Sequence, residues 1–458
     1  MNTRSDSTKF GSIDSLKAVW GVMEPSFMSV GRQTAERRRR FLDDALSFGV
    51  PNTRHEEWKY TSLRSLLESG FQLAPTVDDR PRISAEVIGL VKARLIEGAV
   101  PLVFLDGQLV GDFPGAEISN ISFIKTLRDA ESDYDASWWD KWSPQLDSSK
   151  IFWRMALALA NSGALIDIPR GRQSDCSFHV MHVSTGSRRG EAFNSRLLIN
   201  VGEESSVHVI EEFLQLGTDG ELTASWDNAL TQIHIAPNAH CGFYRVVAAD
   251  GGFHTGGVTA KLDKSSRLDS LSLVTGSKLT RIDIDVLHSA QHSECNLNGL
   301  VLLNKQDHVD HHTSVNHAVG CTRTNQLFKG VLTDSGRSVF NGKIFIRKDA
   351  QQSEAYQTCK TLLLSDQAEA NAKPQLEIDA DDVKASHGAA IGSLNPDEIF
   401  YLQSRCIGRA EATAILSRGF ADDVIFKVEF KPARIWLGSL VDRWFAAQVV
   451  AQNEAKNP

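Results

Sequence analysis

The chain has 458 residues, a formal net charge of −8, 23% charged residues and 41% hydrophobic residues. That length suggests about two to four domains with a sizeable core, and the mild acidity leaves no basic excess to hold nucleic acid. No stretch approaches the roughly 18–20 uninterrupted apolar residues of a membrane-crossing helix, and the opening MNTRSDSTKFGSIDS lacks the apolar core of a secretory signal.

Six cysteines, at 176, 241, 295, 321, 359 and 406, are scattered without a C-x-x-C pair. That spacing suits free thiols in a reducing compartment and predicts a cytoplasmic protein. Residues from 10 to about 70 read as helical, with Phe41, Leu42, Ala45 and Leu46 on one face and Gly49 and Pro51 as the stop. The run Arg37 to Arg40 reads as a solvated helix face. In Arg54 to Thr61, RHEEWKYT, adjacent helical side chains do not face one another, so His55, Glu56 and Glu57 make a poor metal site. Trp58 and Tyr60 read as structural anchors there. Val100 to Leu109 is a strand, an Asp-Gly turn and a strand, and Ile151 to Asn161 is a helix.

From about Ala164 the texture changes. Short β-like runs recur, among them Ala164–Ile168, Phe178–Val183, Leu197–Val201, Val207–Phe213, Leu297–Leu303 and Val339–Ile346. Ile282-Asp283-Ile284-Asp285-Val286 alternates cleanly, with its apolar side chains on one face. Many short strands with turn signals mean a sandwich, a barrel or a β-solenoid, and no fixed-period repeat is visible to choose between them. Physics alone leaves a jelly roll as open as a β-helix.

The stretch 371–405, NAKPQLEIDADDVKASHGAAIGSLNPDEIFYLQSR, hands this β region over to a helical tail. Asn395 as cap, Pro396 at the first helical position and Glu398 three residues after the cap mark a helix start. Farther on, Trp436, Leu440 and Trp444 form a stripe that must be buried against something, either this chain or a docked partner.

LEIDADDVKASHGAAIGSLNPDEIFYLQSR resembles the C-terminal signature of the SufB/SufD family, scaffold subunits of the SUF iron–sulfur assembly system. The resemblance extends upstream through Phe328-Lys329-Gly330-Val331, Val339 to Ile344, Ala350-Gln351 and Leu362 to Ser365, and RHEEWKYT is similar to a segment of the SufD branch. It implies a right-handed parallel β-helix core at 161–385, flanked by a mostly helical domain at 1–160 and a helical domain at 386–458. It also implies a non-catalytic, SufD-like scaffold subunit, partnered by a SufB-like subunit and a SufC-like ABC-type ATPase. The expected cofactor state is none bound stably, with a transient iron–sulfur cluster shared with the partner. By the same resemblance the ATPase docks on the C-terminal region, with Trp436, Leu440 and Trp444 as candidate contacts. An exposed β-helix edge also allows pairing with a second copy when the chain is alone.

Two sets of residues are candidates for the chemistry. His387 lies among residues too small to cover it, and the resemblance places the matching histidine at the SufB–SufD interface; neutral imidazole is a competent iron ligand. The chain departs from the family's C-S-H-G pattern by carrying Ala385 two residues earlier, so thiolate ligands must come from a partner. Cys406 stands where the family usually has glycine. The second set is His308, Asp310 and His312, which share one face of a strand at period two and form a plausible iron or zinc ligand set. A metal-dependent, jelly-roll-like enzyme built on that set is the rival expectation; a polar strand face is the plainer one. Gly336 to Lys343 mimics a phosphate-binding loop, but the spacing is one residue too long and Ile344 replaces the Ser or Thr that would bind magnesium.

Overall fold

The computed structural model describes residues 10, 13–73, 83–113, 116–117, 121–142, 150–160, 162–172, 177–185, 190–216, 225–248 and 251–454. Cys176, Asn161 and the first nine residues lie outside them.

Helices α1 (Ile13–Val30) and α2 (Arg32–Phe48) open the chain. α2 stops at Gly49, whose N–H still reaches the Ala45 carbonyl at 3.0 Å and whose φ of 75° then turns the chain out of the helix. The arginine run is not one solvated face. Arg38 is buried and grips Glu131 through two nitrogens, at 2.9 and 3.0 Å, while Arg39 and Arg40 face solvent. There follow a single turn at Glu56–Trp58, α3 (Arg64–Glu68), β1 (Gln72–Leu73) and α4 (Ala85–Arg94). The predicted hairpin is β2 (Val100–Leu105) with β3 (Gln108–Leu109), joined through left-handed Asp106 and Gly107. Then come β4 (Asp112–Phe113), β5 (Ala116–Glu117), β6 (Ile124–Thr126), α5 (Leu127–Asp133), α6 (Ala136–Asp140) and α7 (Ile151–Leu159).

The β region follows as β7 (Ser162–Ile168), β8 (Ser177–Ser184), β9 (Glu191–Val201), β10 (Ser206–Gln215), β11 (Trp226–Ile235), β12 (His240–Ala248), β13 (Phe253–Leu262) and β14 (Arg267–Val274). It continues through β15 (Leu279–His288), β16 (Glu294–Leu303), β17 (His308–His317), β18 (Arg323–Leu332), β19 (Arg337–Ile346), β20 (Ser353–Leu363), β21 (Glu369–Ile378) and β22 (Val383–Gly392). Odd strands pair in parallel with odd strands and even with even, each with the strand two places on. This makes a two-sheeted parallel β-solenoid of about seven turns. A jelly roll is antiparallel, so the rival fold falls with it.

The solenoid repeat is hidden because its length drifts. Stacked polar partners are 27 residues apart at Asn296–Asp269, 29 at Asn325–Asn296 and 31 at Asp382–Gln351. One corner of each coil places a non-glycine residue in the left-handed region, at Glu204, Asn238, Ser265, His292, Cys321 and Gln352. Each donates its N–H to a carbonyl of the next coil, as Glu204 does to Pro237 at 3.1 Å and Cys321 to Gln351 at 2.9 Å. That bond offsets the cost of the conformation.

Side chains alternate along each strand. Ile282, Ile284 and Val286 point into the apolar lumen, whereas Asp283 and Asp285 point out and meet Lys150 at 2.8 and 3.3 Å. α1, α2 and α7 cover the outside of the odd sheet, over Trp226, Phe253 and Leu279. The tail helices α8 (Pro396–Gln403), α9 (Arg409–Ile425) and α10 (Lys431–Glu454) lie on the even side, and α9 and α10 cover Ile210, Tyr244, Leu271, Leu300 and Val331. Upstream, β1 pairs with β9 and β2 with β8, and downstream the β-structure runs on through His387 to Gly392.

Candidate functional site

The two ends of the solenoid differ. At its start, β2, β3 and β6 close the sheets, partly by antiparallel pairing. At its finish, β21 pairs with β19 and β22 with β20, and among the described residues no strand covers their far edges. An unpaired parallel edge is a row of free backbone donors and acceptors. Pro374, which lacks a donor, sits on β21, where an edge strand tolerates it.

His387 is on β22, opposite Gln357 of β20. The same column continues to Gln326 and then to Leu297 of the apolar lumen, so His387 stands on the inward-facing set of side chains, at the mouth. It is exposed, as are Ser386 and Gly388 to Gly392. Ala385 brings only a methyl group to the same face. The lumenal thiol one coil inward, Cys359 opposite Ala389, is pushed up to about 12 by burial, and burial raises Cys241 and Cys295 further. A protonated, buried thiol is a poor ligand. Exposed Cys406 follows α8 with φ 65°, in the left-handed region that favours glycine. As the cap pattern predicts, Asn395 accepts the Asp397 N–H at 2.9 Å, and α8 has no buried residue.

His308, Asp310 and His312 do share the outward face of β17, but the structure does not leave them free for a metal. Segment 54–61 lies over them. The Asp310 carboxylate accepts from the Arg281 guanidinium at 2.7 Å and from the Thr61 hydroxyl at 2.5 Å. His312 has one ring nitrogen 3.2 Å from Glu57 and the other 3.0 Å from Asp310, and His308 meets Thr61 at 3.1 Å. Burial would raise the Asp310 carboxyl, but Arg281, His312 and Thr61 hold it far below the ordinary range. A dication there would have to displace or abut a buried guanidinium. Among the described residues no group of three His, Cys, Asp or Glu side chains is arranged to hold a metal ion. The role of RHEEWKYT thus becomes visible. Trp58 is buried under Arg281, whose guanidinium is 4.4 Å from the ring, while Glu57 also pairs with Lys343 and Glu56 with Lys373. The segment latches the N-terminal helices onto the odd sheet. Lys343, the last residue of the phosphate-loop mimic, is used in this latch.

The stripe on α10 faces inward. Leu440 and Trp444 are buried, and Trp436 packs edge-on against His179 of β8 at 5.1 Å. Leu440 and Trp444 are thus taken up by the chain's own interface between helices and sheet, with half-buried Trp436 beside them. The outward side of the tail carries Phe400, Phe426 and Ile435, at 71%, 68% and 61% exposure. Sequence reasoning missed Gln326 and Gln357, although Gln326, Gln357 and His387 follow one another at single coil lengths of 31 and 30 residues.

Residues 182–420, just over half of the chain, match the family described as SUF system FeS cluster assembly, SufBD core domain. The iron–sulfur cluster assembly protein SufD of Escherichia coli is 29% identical, over 87% of this chain and 90% of its own length. A SufBD-family iron–sulfur cluster assembly protein of Synechocystis is 26% identical over 86% of this chain and 87% of its own length, and the chloroplastic protein ABCI7 of Arabidopsis thaliana is 29% identical over 61% and 60%. With a parallel β-solenoid, helices on both outer faces and this match, the chain belongs to the SufBD family of the SUF iron–sulfur cluster assembly system and is a SufD-like member of it.

Proposed function

We propose that this chain is a non-enzymatic, cytoplasmic scaffold subunit that joins a SufB-like subunit through the open end of its β-helix. The observation that carries this reading is a pair of edges, β21 and β22, that no strand among the described residues caps, with an exposed histidine at the mouth between them. A homologous solenoid offers the complementary edge, so main-chain pairing supplies affinity without a special side-chain code. The nascent cluster is cargo, held transiently at the junction. His387 offers imidazole nitrogen, and the thiolates come from the partner, because Ala385 offers none and the lumenal thiols are held protonated by burial. A SufC-like ATPase docks on the outward side of the tail helices, where Phe426 and Ile435 are exposed, and the buried α10 stripe transmits its movement to the even sheet. Such movement strains the paired solenoids and opens the junction.

The test is co-expression of the tagged chain with the SufB-like and SufC-like proteins of the same organism, followed by mass and subunit ratio of what co-purifies. A complex holding both, whose His387→Ala version assembles intact but yields several-fold less cluster, supports the proposal. A chain that purifies alone, or as a pair of itself while both others are present, overturns it.

A further inference from the structure

The column that ends at His387 changes character along the solenoid. It runs Leu297, Gln326, Gln357, His387 in strict register on β16, β18, β20 and β22. Both glutamines are buried, at 3% and 1% exposure, on the inward face of the solenoid. From across the lumen, Thr313 of β17 donates its hydroxyl to Gln326 Oε1 at 2.9 Å. Gln357 donates Nε2 to that same oxygen at 3.2 Å. Gly342 on β19 makes room for this amide, since a β-carbon there would lie 2.2 Å from Gln357 Nε2. The arrangement is an amide ladder of the kind that parallel coils support, one rung per coil. Two of its buried amide atoms have no hydrogen-bond partner, Gln326 Nε2 and Gln357 Oε1, and the second belongs to the rung next to His387. Buried acceptors without partners are rare and call for an explanation. The next rung, in register, is His387.

We propose that Gln357 is the positioning residue of His387: its carboxamide oxygen accepts one imidazole N–H, leaving the other ring nitrogen as a lone-pair donor that faces the mouth. This rests on the reading that His387 faces the cluster. Neutral imidazole has one N–H and one acceptor nitrogen, and a metal-binding histidine gives its N–H to a fixed acceptor behind it. Thr313, Gln326 and Gln357 supply that acceptor already oriented. They restrict the ring of a side chain that no lateral neighbour restrains, since Ala385 and Ala389 flank it on the same face.

The experiment uses the full chain with histidine ring nitrogens labelled with nitrogen-15, and a His387→Ala version to assign the signal. A ring N–H of His387 protected from exchange with water is expected in the parent. It is expected to vanish in Gln357→Met, which keeps the volume but not the acceptor, and to return in Gln357→Glu, which keeps an acceptor. Gln326→Leu, which leaves Gln357 in place but removes its anchor, should broaden the same signal. A His387 ring signal identical in the parent and in Gln357→Met, with both folded by circular dichroism, overturns the inference. No iron, sulfide or partner enters this measurement, so its failure is separate from failure of the scaffold reading. In the assembled complex, Gln357→Met should lower cluster yield several-fold without changing subunit ratio. A lost ring N–H with unchanged yield would keep Gln357 as the positioning residue and strike out His387 as a ligand.

Discussion

Two sites in this chain offered imidazole for iron, the single His387 and the His308–His312 set, and tertiary structure treats them in opposite ways. At His308–His312 each side chain already has a neighbour: Asp310 Oδ2 accepts from Arg281 and Thr61, His312 lies between Glu57 and Asp310, and His308 meets Thr61. At His387 the ring is exposed, and an unmet group lies one coil beneath it, in Gln357. A ligand-like set on one strand is therefore not a site until its competitors are counted. The richer group is structural, because a buried carboxylate needs a cation more than a metal needs the carboxylate.

The contrast can be broken most forcefully at Arg281. Arg281→Met leaves the carboxylates of Asp310 and Asp283 buried beside each other without their guanidinium and is expected to cost about 3–5 kcal/mol. Urea unfolding monitored by circular dichroism measures it, and a loss below about 1 kcal/mol would return the 308–312 group to the list of functional sites. Next in size is the tail. Trp444→Ala should cost about 3 kcal/mol by leaving a cavity between α10 and the even sheet, whereas Phe426→Ala on the exposed side should change stability by less than about 0.5 kcal/mol while weakening ATPase co-purification. Equal stability losses would mean that the inward and outward sides of the tail have been misjudged.

Acid offers a third test. Burial pushes the imidazoles of His311 and His317 down to about 4, so each is neutral when folded. Their contribution is complete above the ordinary value of about 6.5 and is lost as pH falls toward 4, at roughly 3 kcal/mol per ring. Burial opposes ionisation of Glu211, but Arg245 and His182 hold its carboxyl at about 2, so its contribution persists to lower pH and is lost only below about 4. The urea midpoint should therefore fall steadily between pH 6.5 and 4.5, and a flat profile would show that the lumenal histidines are hydrated. The smallest effect belongs to His387→Ala. Folding stability should change by less than about 0.5 kcal/mol, since the ring is exposed, and this invariance separates His387 from the buried group.

The strands could be read where alternation was clean, as at Ile282–Val286, and the start of α8 could be read from Asn395 and Pro396. β20 and β22 were harder. Ser353–Leu363 carries tyrosine, glutamine and lysine outward or inward by turns, and Val383–Gly392 is mostly small residues on an edge, so neither has the hydrophobic contrast that marks a strand. The arginine run misled for a related reason. Arg38 is charged in the sequence, yet Glu131, 93 residues away, makes burial affordable.

By itself, the sequence determined which segments are extended, where chains turn and where the tail helix begins, because alternation, turn chemistry and caps act over a few residues. It also carried the motifs that mark the family. Only the tertiary structure decided that each strand pairs with the strand two places on, that RHEEWKYT is a latch over Asp310 and His312, and that Gln357 stands beneath His387. Those facts depend on coil closure across 27 to 31 residues, and no local preference encodes a contact at that range when the coil length itself varies.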